Sequence, residues 1–261
     1  KIIFALIIAK HEPHRCDSLP EDMRRPVQSA KAFGRSLRTV ACVLACVCGS
    51  AATPATARQP TLPEIRTSHA GAIPACVTPD RLMRHVLDRS GSLDARFRQI
   101  ARYYQVHGEA LRIRWDYAFF QMLLETNYLS FRRGNGEPGD VKPRQNNFAG
   151  IGATGGGIPG DSFADVSTGV LAQMQHLLAY AGERVEKPVA PRTQEKQGDI
   201  IEASRALRRP VRFSDLTSRW AADRKYAASI EAVAERYQQA YCTPAGEALR
   251  SAGGSAGENA W

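Results

Sequence analysis

The hydrophobic pattern of the chain centres on Trp115 to Ser130, which reads WDYAFFQMLLETNYLS. The stretch contains no glycine or proline, and apolar side chains fall on almost every side of a helix drawn through it. A helix that is apolar nearly all round lies in the interior of a protein. The pattern therefore predicts a buried central helix with one carboxylate, Glu125, near its end.

Other segments repeat apolar residues at intervals of three and four, which is typical of amphipathic helices. They predict longer helices from about Leu93 to His107, from about Thr168 to Ala181 and from Ile230 to Cys242, and shorter ones from Asp80 to about Arg89, at 200–207 and at 215–221. Residues 132–160 are rich in glycine and predict a loop or small hairpin. Strand-like alternation is nearly absent, so we predict a mostly α fold with a short insertion of this kind.

Composition divides the chain into further parts. Residues 58–79 are rich in Pro, Thr and Ala and predict a linker, and all the longer helical patterns of the following domain lie within 80–243. Residues 184–198 are charged and contain prolines, which predicts a connection between helices. The Gly, Ser and Ala residues of 244–261 predict a flexible tail.

Residues 23–57 have the three parts of a secretory signal peptide. Basic residues follow Met23, Thr39 to Cys48 forms a short apolar run, and Ala55 to Ala57 gives a small-residue cleavage pattern. The apolar run is too short for an ordinary membrane-spanning helix. We therefore expect export to the periplasm or the cell exterior, with no stable membrane insertion after cleavage, and interpret residues 1–22 as an extension upstream of the true start.

The cysteines bear on both compartment and covalent structure. Four of the six precede residue 58, which leaves Cys76 and Cys242 in the expected mature chain. An even pair in an exported protein predicts a disulfide. Val43 to Cys46 loosely resembles a lipobox, so lipoprotein anchoring stays open as an alternative. The histidines are scattered and no metal-binding motif occurs, so we expect neither a metal nor a cofactor.

The charge of the chain is concentrated upstream. Its formal net charge is +9, but the part from Arg58 onward carries only +5. Such a mildly basic domain suits an anionic polymer, whether nucleic acid, a lipid surface or cell wall. Charge alone agrees equally with a solvated surface that has no partner.

Glu125 is the candidate for chemistry on the central helix. Burial disfavours the charged form of a carboxyl group and raises its pKa. A carboxyl group that holds its proton near neutral pH can act as a general acid. In the alternative interpretation, Glu125 lies at a frayed helix end, solvated or paired with an arginine.

Three segments in order resemble the bacterial glucosaminidase domains of glycoside hydrolase family 73. FQMLLET at 120–126 is similar to the Gln…Glu-Ser/Thr helix of that family, and NNFAGI at 146–151 to its Asn-x-Phe-Gly-Ile segment. WAADRKYAASI at 220–230 is similar to its Asp-x-x-Tyr-x-x-x-Ile segment. The resemblance covers roughly residues 93–241 and implies a lysozyme-like α+β fold that cleaves β-1,4 bonds of peptidoglycan, as an endo-β-N-acetylglucosaminidase does.

The resemblance also assigns roles to residues. It makes Glu125 the catalytic acid and places Tyr226 in the site, with Asn147, Phe148 and Gly150 binding the substrate. The residues themselves leave alternatives open, since Phe148 also suits a core aromatic and Tyr226 helix packing.

A second carboxylate is the feature that departs from the family. Glycosidases generally use two carboxylates, and the family carries the second on a hairpin after the Asn-x-Phe-Gly-Ile segment. Residues 152–162 contain no Glu, which leaves Asp161 and Asp165 as the candidates. Alternatively, Asp161 is a turn residue, Asp165 a helix cap, and the acetamido group of the substrate assists Glu125.

These expectations define a partner and two rival functions. We expect a monomer that acts on peptidoglycan strands and does not bind nucleic acid. A lytic transglycosylase would also place a Glu before Ser or Thr at the end of a buried helix, although its Gly-Leu-Met-Gln-like segment is absent. A non-catalytic cell-wall-binding module would keep the groove without needing the acid.

Overall fold

A computed structural model describes residues 60–68, 72–155 and 158–253 of the chain. The expected signal peptide, the extension before it and residues 254–261 lie outside this part.

The described residues confirm the predicted mostly α fold. Pairing of extended backbone within them is limited to isolated bridges. None of their helices is both long and apolar enough to cross a membrane. The helices are α1 (Pro79–Ser90), α2 (Ile100–Leu111), α3 (Trp115–Glu125), α4 (Val166–Tyr180), α5 (Pro191–Arg205), α6 (Tyr226–Tyr241) and α7 (Pro244–Gly253), with 3-10 turns at Ala95–Phe97, Pro143–Gln145 and Phe213–Leu216.

The predicted buried central helix is α3, which packs against α2, α4 and α6. Its side chains from Ala118 to Leu123 are all buried. Phe119 packs edge-on against Tyr104 of α2, with ring centroids 5.3 Å apart. At the start of the helix, Arg114 and Asp116 form a buried ion pair at 2.6 Å. The apolar interior of the domain is therefore built around this helix.

Two helices lie in segments that were predicted to be non-helical. The expected connection at 184–198 ends in α5, and the expected flexible tail begins with α7. Both start with proline, which suits the first position of a helix because its missing N–H has no intrahelical partner there. The buried face of α5 includes the polar residues Thr193 and Gln197. A hydrophobic pattern therefore does not reveal the first half of this helix, whereas the predicted short helix at 200–207 overlaps its second half.

Part of the predicted linker belongs to the domain. Leu62 and Ile65 are buried, with 2% and 0% of their surfaces exposed. Ile65 donates to the carbonyl of Val211 at 2.9 Å and accepts from the amide of Arg114 at 2.8 Å. The segment is too short to show a period, but its backbone is hydrogen-bonded to Arg114, the residue before α3.

The predicted disulfide Cys76–Cys242 is confirmed, with the two Cα atoms 5.3 Å apart. It ties the segment before α1 to the residue that ends α6. The hydroxyl of Tyr237 on α6 also donates to the carbonyl of Cys76 at 2.8 Å. The two ends of the helical domain are therefore joined both covalently and by a hydrogen bond.

Candidate active site

A strained turn holds Glu125 at the end of α3. The hydroxyl of Thr126 donates to the carbonyl of Met122 at 2.8 Å and accepts from the amide of Leu129 at 2.9 Å. Residues 127–129 all have positive φ, between 47° and 61°. This left-handed conformation costs an L-residue about 1–2 kcal/mol, and such strain is concentrated at functional sites. The turn stops the helix directly after its only glutamate.

The two carboxyl oxygens of Glu125 have different surroundings. The hydroxyl of Tyr226 donates to Oε1. Oε2 is buried and has no hydrogen-bond partner among the described residues. Burial raises the pKa of Glu125 to about 8, against the opposing effects of the Tyr226 hydroxyl and of the nearby Trp220 side chain. The group therefore holds a proton at neutral pH, and no arginine of the described chain pairs with it.

Trp220 lies close to Glu125, although no role was predicted for it. Its ring packs against those of His176 and Tyr180, with centroids 5.1 and 5.3 Å away. His176 Nδ1 lies 2.8 Å from the hydroxyl of Thr193. Burial lowers the pKa of His176 to about 4, so its ring is neutral. Within the described ranges, no three His, Cys, Asp or Glu residues come together as a metal ion would require.

A cleft of about 970 Å³ opens at Glu125. Its volume is in the range of ligand-binding pockets. The hairpin at 132–139, in which Arg133 donates to the carbonyl of Glu137 at 2.8 Å, contributes to its wall, as do the ends of α1 and α3 and one face of α6. Four arginines line the cleft: Arg89, Arg132, Arg133 and Arg236.

Two further carboxylates, Glu137 and Asp140, line the same cleft. Asp140 is paired with Arg133 at 2.7 Å. Glu137 is exposed and accepts a hydrogen bond from the side chain of Asn135 at 2.8 Å. Neither residue was predicted, because the second carboxylate was expected after residue 151 and not on the hairpin that follows Glu125.

Asp161 and Asp165, the predicted candidates for that second carboxylate, do not line the cleft. Each of them accepts a hydrogen bond from a backbone amide in the first turn of a helix. Asp165 caps α4 by accepting from the amide of Thr168 at 2.7 Å, and this hydrogen bond lowers its pKa. Asp161 accepts from the amide of Arg192 in the first turn of α5 at 3.1 Å. For Asp165, the cap alternative is the one that the structure shows.

The Asn-x-Phe-Gly-Ile-like segment is built into the interior. Asn147 has no exposed surface, and its amide donates to the carbonyls of Ile151 and Asp161 at 2.8 and 3.0 Å. Phe148 packs edge-on against Phe97 with centroids 5.7 Å apart. Gly150 takes a positive φ in the buried turn that follows Phe148. None of these predicted substrate-binding residues lines the cleft, so we assign them to packing, whereas Tyr226 does contact Glu125.

Gly169 on α4 allows this segment to pack closely. A Cβ atom at residue 169 would lie 1.8 Å from the carbonyl oxygen of Asn146 and 3.0 Å from the ring of Phe148. We expect Gly169→Ala to lower the free energy of unfolding by about 1–3 kcal/mol, as overpacking does. Gly198 on α5 has nothing within 4 Å of its Cβ position. Gly198→Ala is thus the control and should stabilise the helix by up to about 1 kcal/mol. Equal urea-unfolding midpoints for the two variants would contradict this packing.

Comparison with known proteins gives a relative of this chain. No family model and no solved structure matches the chain. An uncharacterized protein of Borreliella burgdorferi is 32% identical over 155 residues, which are 58% of this chain and 69% of that protein. The chain therefore belongs to the same family as this Borreliella burgdorferi protein.

Proposed function

We propose that this protein is an exported peptidoglycan hydrolase that cleaves β-1,4 glycan bonds with Glu125 as the general acid. One observation carries the proposal. Glu125 lines a large cleft, its Oε1 accepts from Tyr226, and its buried Oε2 has no hydrogen-bond partner among the described residues. Buried polar atoms are normally hydrogen-bonded, so an unpartnered oxygen at a cleft points to a ligand that completes it.

The chemistry of glycan cleavage matches this arrangement. The glycosidic oxygen is a poor leaving group and needs a proton as its bond to the sugar breaks. Glu125 holds such a proton at neutral pH because burial raises its pKa to about 8. After the transfer, the hydrogen bond from Tyr226 to Oε1 stabilises the carboxylate that remains.

The arginines of the cleft support an anionic polymer as substrate. Arg133 is paired with Asp140, whereas Arg236 forms no ion pair with another described residue. A cleft with an excess of positive charge raises the local concentration of an anionic substrate. Glycan strands that carry carboxylates on the sugar or on an attached peptide have this chemistry.

Glu137 is the best-placed second carboxylate. It is exposed in the cleft, whereas Asp140 is tied to Arg133. We expect Glu137→Gln to lower kcat at least about tenfold, because a Gln can neither activate water nor stabilise positive charge on the sugar. The control is Glu202→Gln on the exposed face of α5, and activity is measured by release of reducing ends. Unchanged kcat in Glu137→Gln would favour assistance by the acetamido group of the substrate.

Neither Asp161 nor Asp165 lies in the cleft, so Glu125 is the best-defined acid of the site. A lytic transglycosylase is therefore the second candidate. Digestion of purified peptidoglycan followed by mass spectrometry of the fragments separates the candidates. A glucosaminidase leaves reducing N-acetylglucosamine ends, and a transglycosylase leaves anhydro-muramic ends. Binding of the protein to peptidoglycan without any new ends would instead indicate a wall-binding module.

A further inference from the structure

Four buried side chains form a continuous chain of hydrogen bonds that ends at Glu125. Tyr104 of α2 donates to Oε1 of Gln173 on α4. Gln173 Nε2 lies 2.9 Å from Oε1 of Gln121 on α3, and Gln121 Nε2 lies 2.9 Å from the hydroxyl of Tyr226 on α6. The chain thus crosses four helices, and at most 2% of the surface of each residue is exposed.

One backbone carbonyl sets the direction of the whole chain. Gln173 Nε2 also donates to the carbonyl of Ala118 at 3.1 Å. A carbonyl can only accept, so the amide nitrogen of Gln173 must face Ala118 and Gln121. Gln121 must then present its oxygen to Gln173 and its nitrogen to Tyr226. Reversing any one amide would place two donors or two acceptors against each other.

The direction of the chain decides what Tyr226 can do. Its oxygen accepts from Gln121, and its proton points to Oε1 of Glu125. Burial and the neighbouring Glu125 raise the pKa of Tyr226 well above its usual range, so the hydroxyl keeps that proton. The catalytic proton of Glu125 must then be on the other oxygen.

We propose that Gln121 and Gln173 are positioning residues, which lock Tyr226 as a donor to Oε1 and thereby confine the proton of Glu125 to Oε2. The catalytic consequence rests on the proposed function, but the direction of the hydrogen bonds does not. Without the lock, the Tyr226 hydroxyl can rotate and accept the proton of Glu125. A proton held in that way is not available to a substrate.

No charged group of the described chain contributes to the pKa shift of Glu125. Tyr104 from α2, Tyr226 from α6 and Trp220 from the segment before α6 face it. His176, which packs on Trp220, is neutral because burial lowers its pKa to about 4. A change in the titration of Glu125 after substitution of Gln121 therefore reports on the chain of hydrogen bonds.

The test compares Gln121→Leu, Tyr226→Phe and the double variant. We expect each single variant to lower kcat about tenfold, near the worth of one hydrogen bond to a charged group, with KM unchanged. The basic limb of the pH profile should move to higher pH, because the carboxylate loses a donor that stabilised it. Since Gln121 acts through Tyr226, the double variant should lose no more than Tyr226→Phe alone. Independent, multiplied losses would overturn the proposal.

Two other variants separate positioning from folding. Gln173→Met breaks the chain one link further from Glu125 and should move the basic limb in the same direction. Gln197 is a matched buried glutamine outside the chain, whose Oε1 accepts from the amide of Val185 at 3.0 Å. Gln197→Leu should lower stability and leave the pH profile unchanged. If the basic limb also moves in Gln197→Leu, the movement reflects general destabilisation of the protein, and the proposal is overturned.

A second readout does not depend on activity. Carbon-13 labelling of glutamate allows the titration of the Glu125 carboxyl to be followed by NMR. We expect a pKa of about 8 in the wild type and a higher value in Gln121→Leu. If the titration shifts but neither the wild type nor any variant digests peptidoglycan, the chain of hydrogen bonds is supported and the proposed function fails. If peptidoglycan is digested and the titration does not shift, the positioning role fails alone.

Discussion

Glu125→Gln should fold normally and lose nearly all glycan cleavage, by about 10²- to 10⁴-fold, which is the usual worth of a general acid. Gln has the shape of a protonated Glu and can still accept from Tyr226, but it cannot give a proton to the leaving oxygen. Because burial keeps Glu125 protonated at neutral pH, the substitution exchanges one neutral group for another. Release of reducing ends from purified peptidoglycan measures the loss.

Two controls accompany this variant. Its circular dichroism, melting temperature and sedimentation with peptidoglycan should match those of the wild type, which separates loss of chemistry from loss of fold or binding. Glu202→Gln should retain full activity, because Glu202 lies on the exposed face of α5. Loss of a general acid usually lowers activity much more than tenfold. If Glu125→Gln keeps activity within about tenfold of the wild type, Glu125 is not the general acid.

Replacing Cys76 and Cys242 by serine should lower the free energy of unfolding by about 2–5 kcal/mol. The bond joins residues 166 positions apart in the chain. Closing a loop of this size lowers the conformational entropy of the unfolded chain relative to the chain without the bond. Chain-entropy models assign such a loop on the order of 4–5 kcal/mol, although measured gains are often smaller. Urea unfolding of the oxidised wild type and the double serine variant gives the difference.

Reductant supplies the control for the disulfide. It should lower the unfolding midpoint of the wild type toward that of the double serine variant and have no effect on the variant itself. Mass spectrometry should show the oxidised chain lighter than the reduced one by two hydrogen atoms. Two free thiols in the purified exported protein, or equal midpoints for variant and wild type, would refute a stabilising bond.

The sequence predicted those parts of the fold that depend on hydrophobic period. A run with no polar face is typical of a buried helix, which is why the burial of α3 was correctly predicted. The contact between Tyr226 and Glu125, which lie 101 positions apart, came from the order of three resembling segments. Periodicity could not have supplied it, because it contains no information about which helices are neighbours.

The remaining site residues were beyond the sequence for identifiable reasons. A carboxylate before a helix can cap it or line a cleft, and only the position of the helix start shows that Asp165 does the former. Asp161 accepts from the first turn of α5, which begins 30 residues later in the chain, and hydrophobic period gives no sign of such a contact. Glu137 lies in a Gly- and Asn-rich hairpin whose fold depends on backbone hydrogen bonds. Asn147 and Gln173 are polar residues in the interior, where a hydrophobic pattern gives no sign of them.

The buried position of Glu125 also links folding of the domain to the uptake of a proton. An unfolded chain releases the proton of this carboxyl near its ordinary pKa of 4.5, whereas the folded protein keeps it up to about pH 8. Between these two values the folded state binds more protons, so the free energy of unfolding falls as the pH rises and levels off above about pH 8. The buried carboxyl group of Glu125 therefore lowers the stability of the fold most in alkaline surroundings.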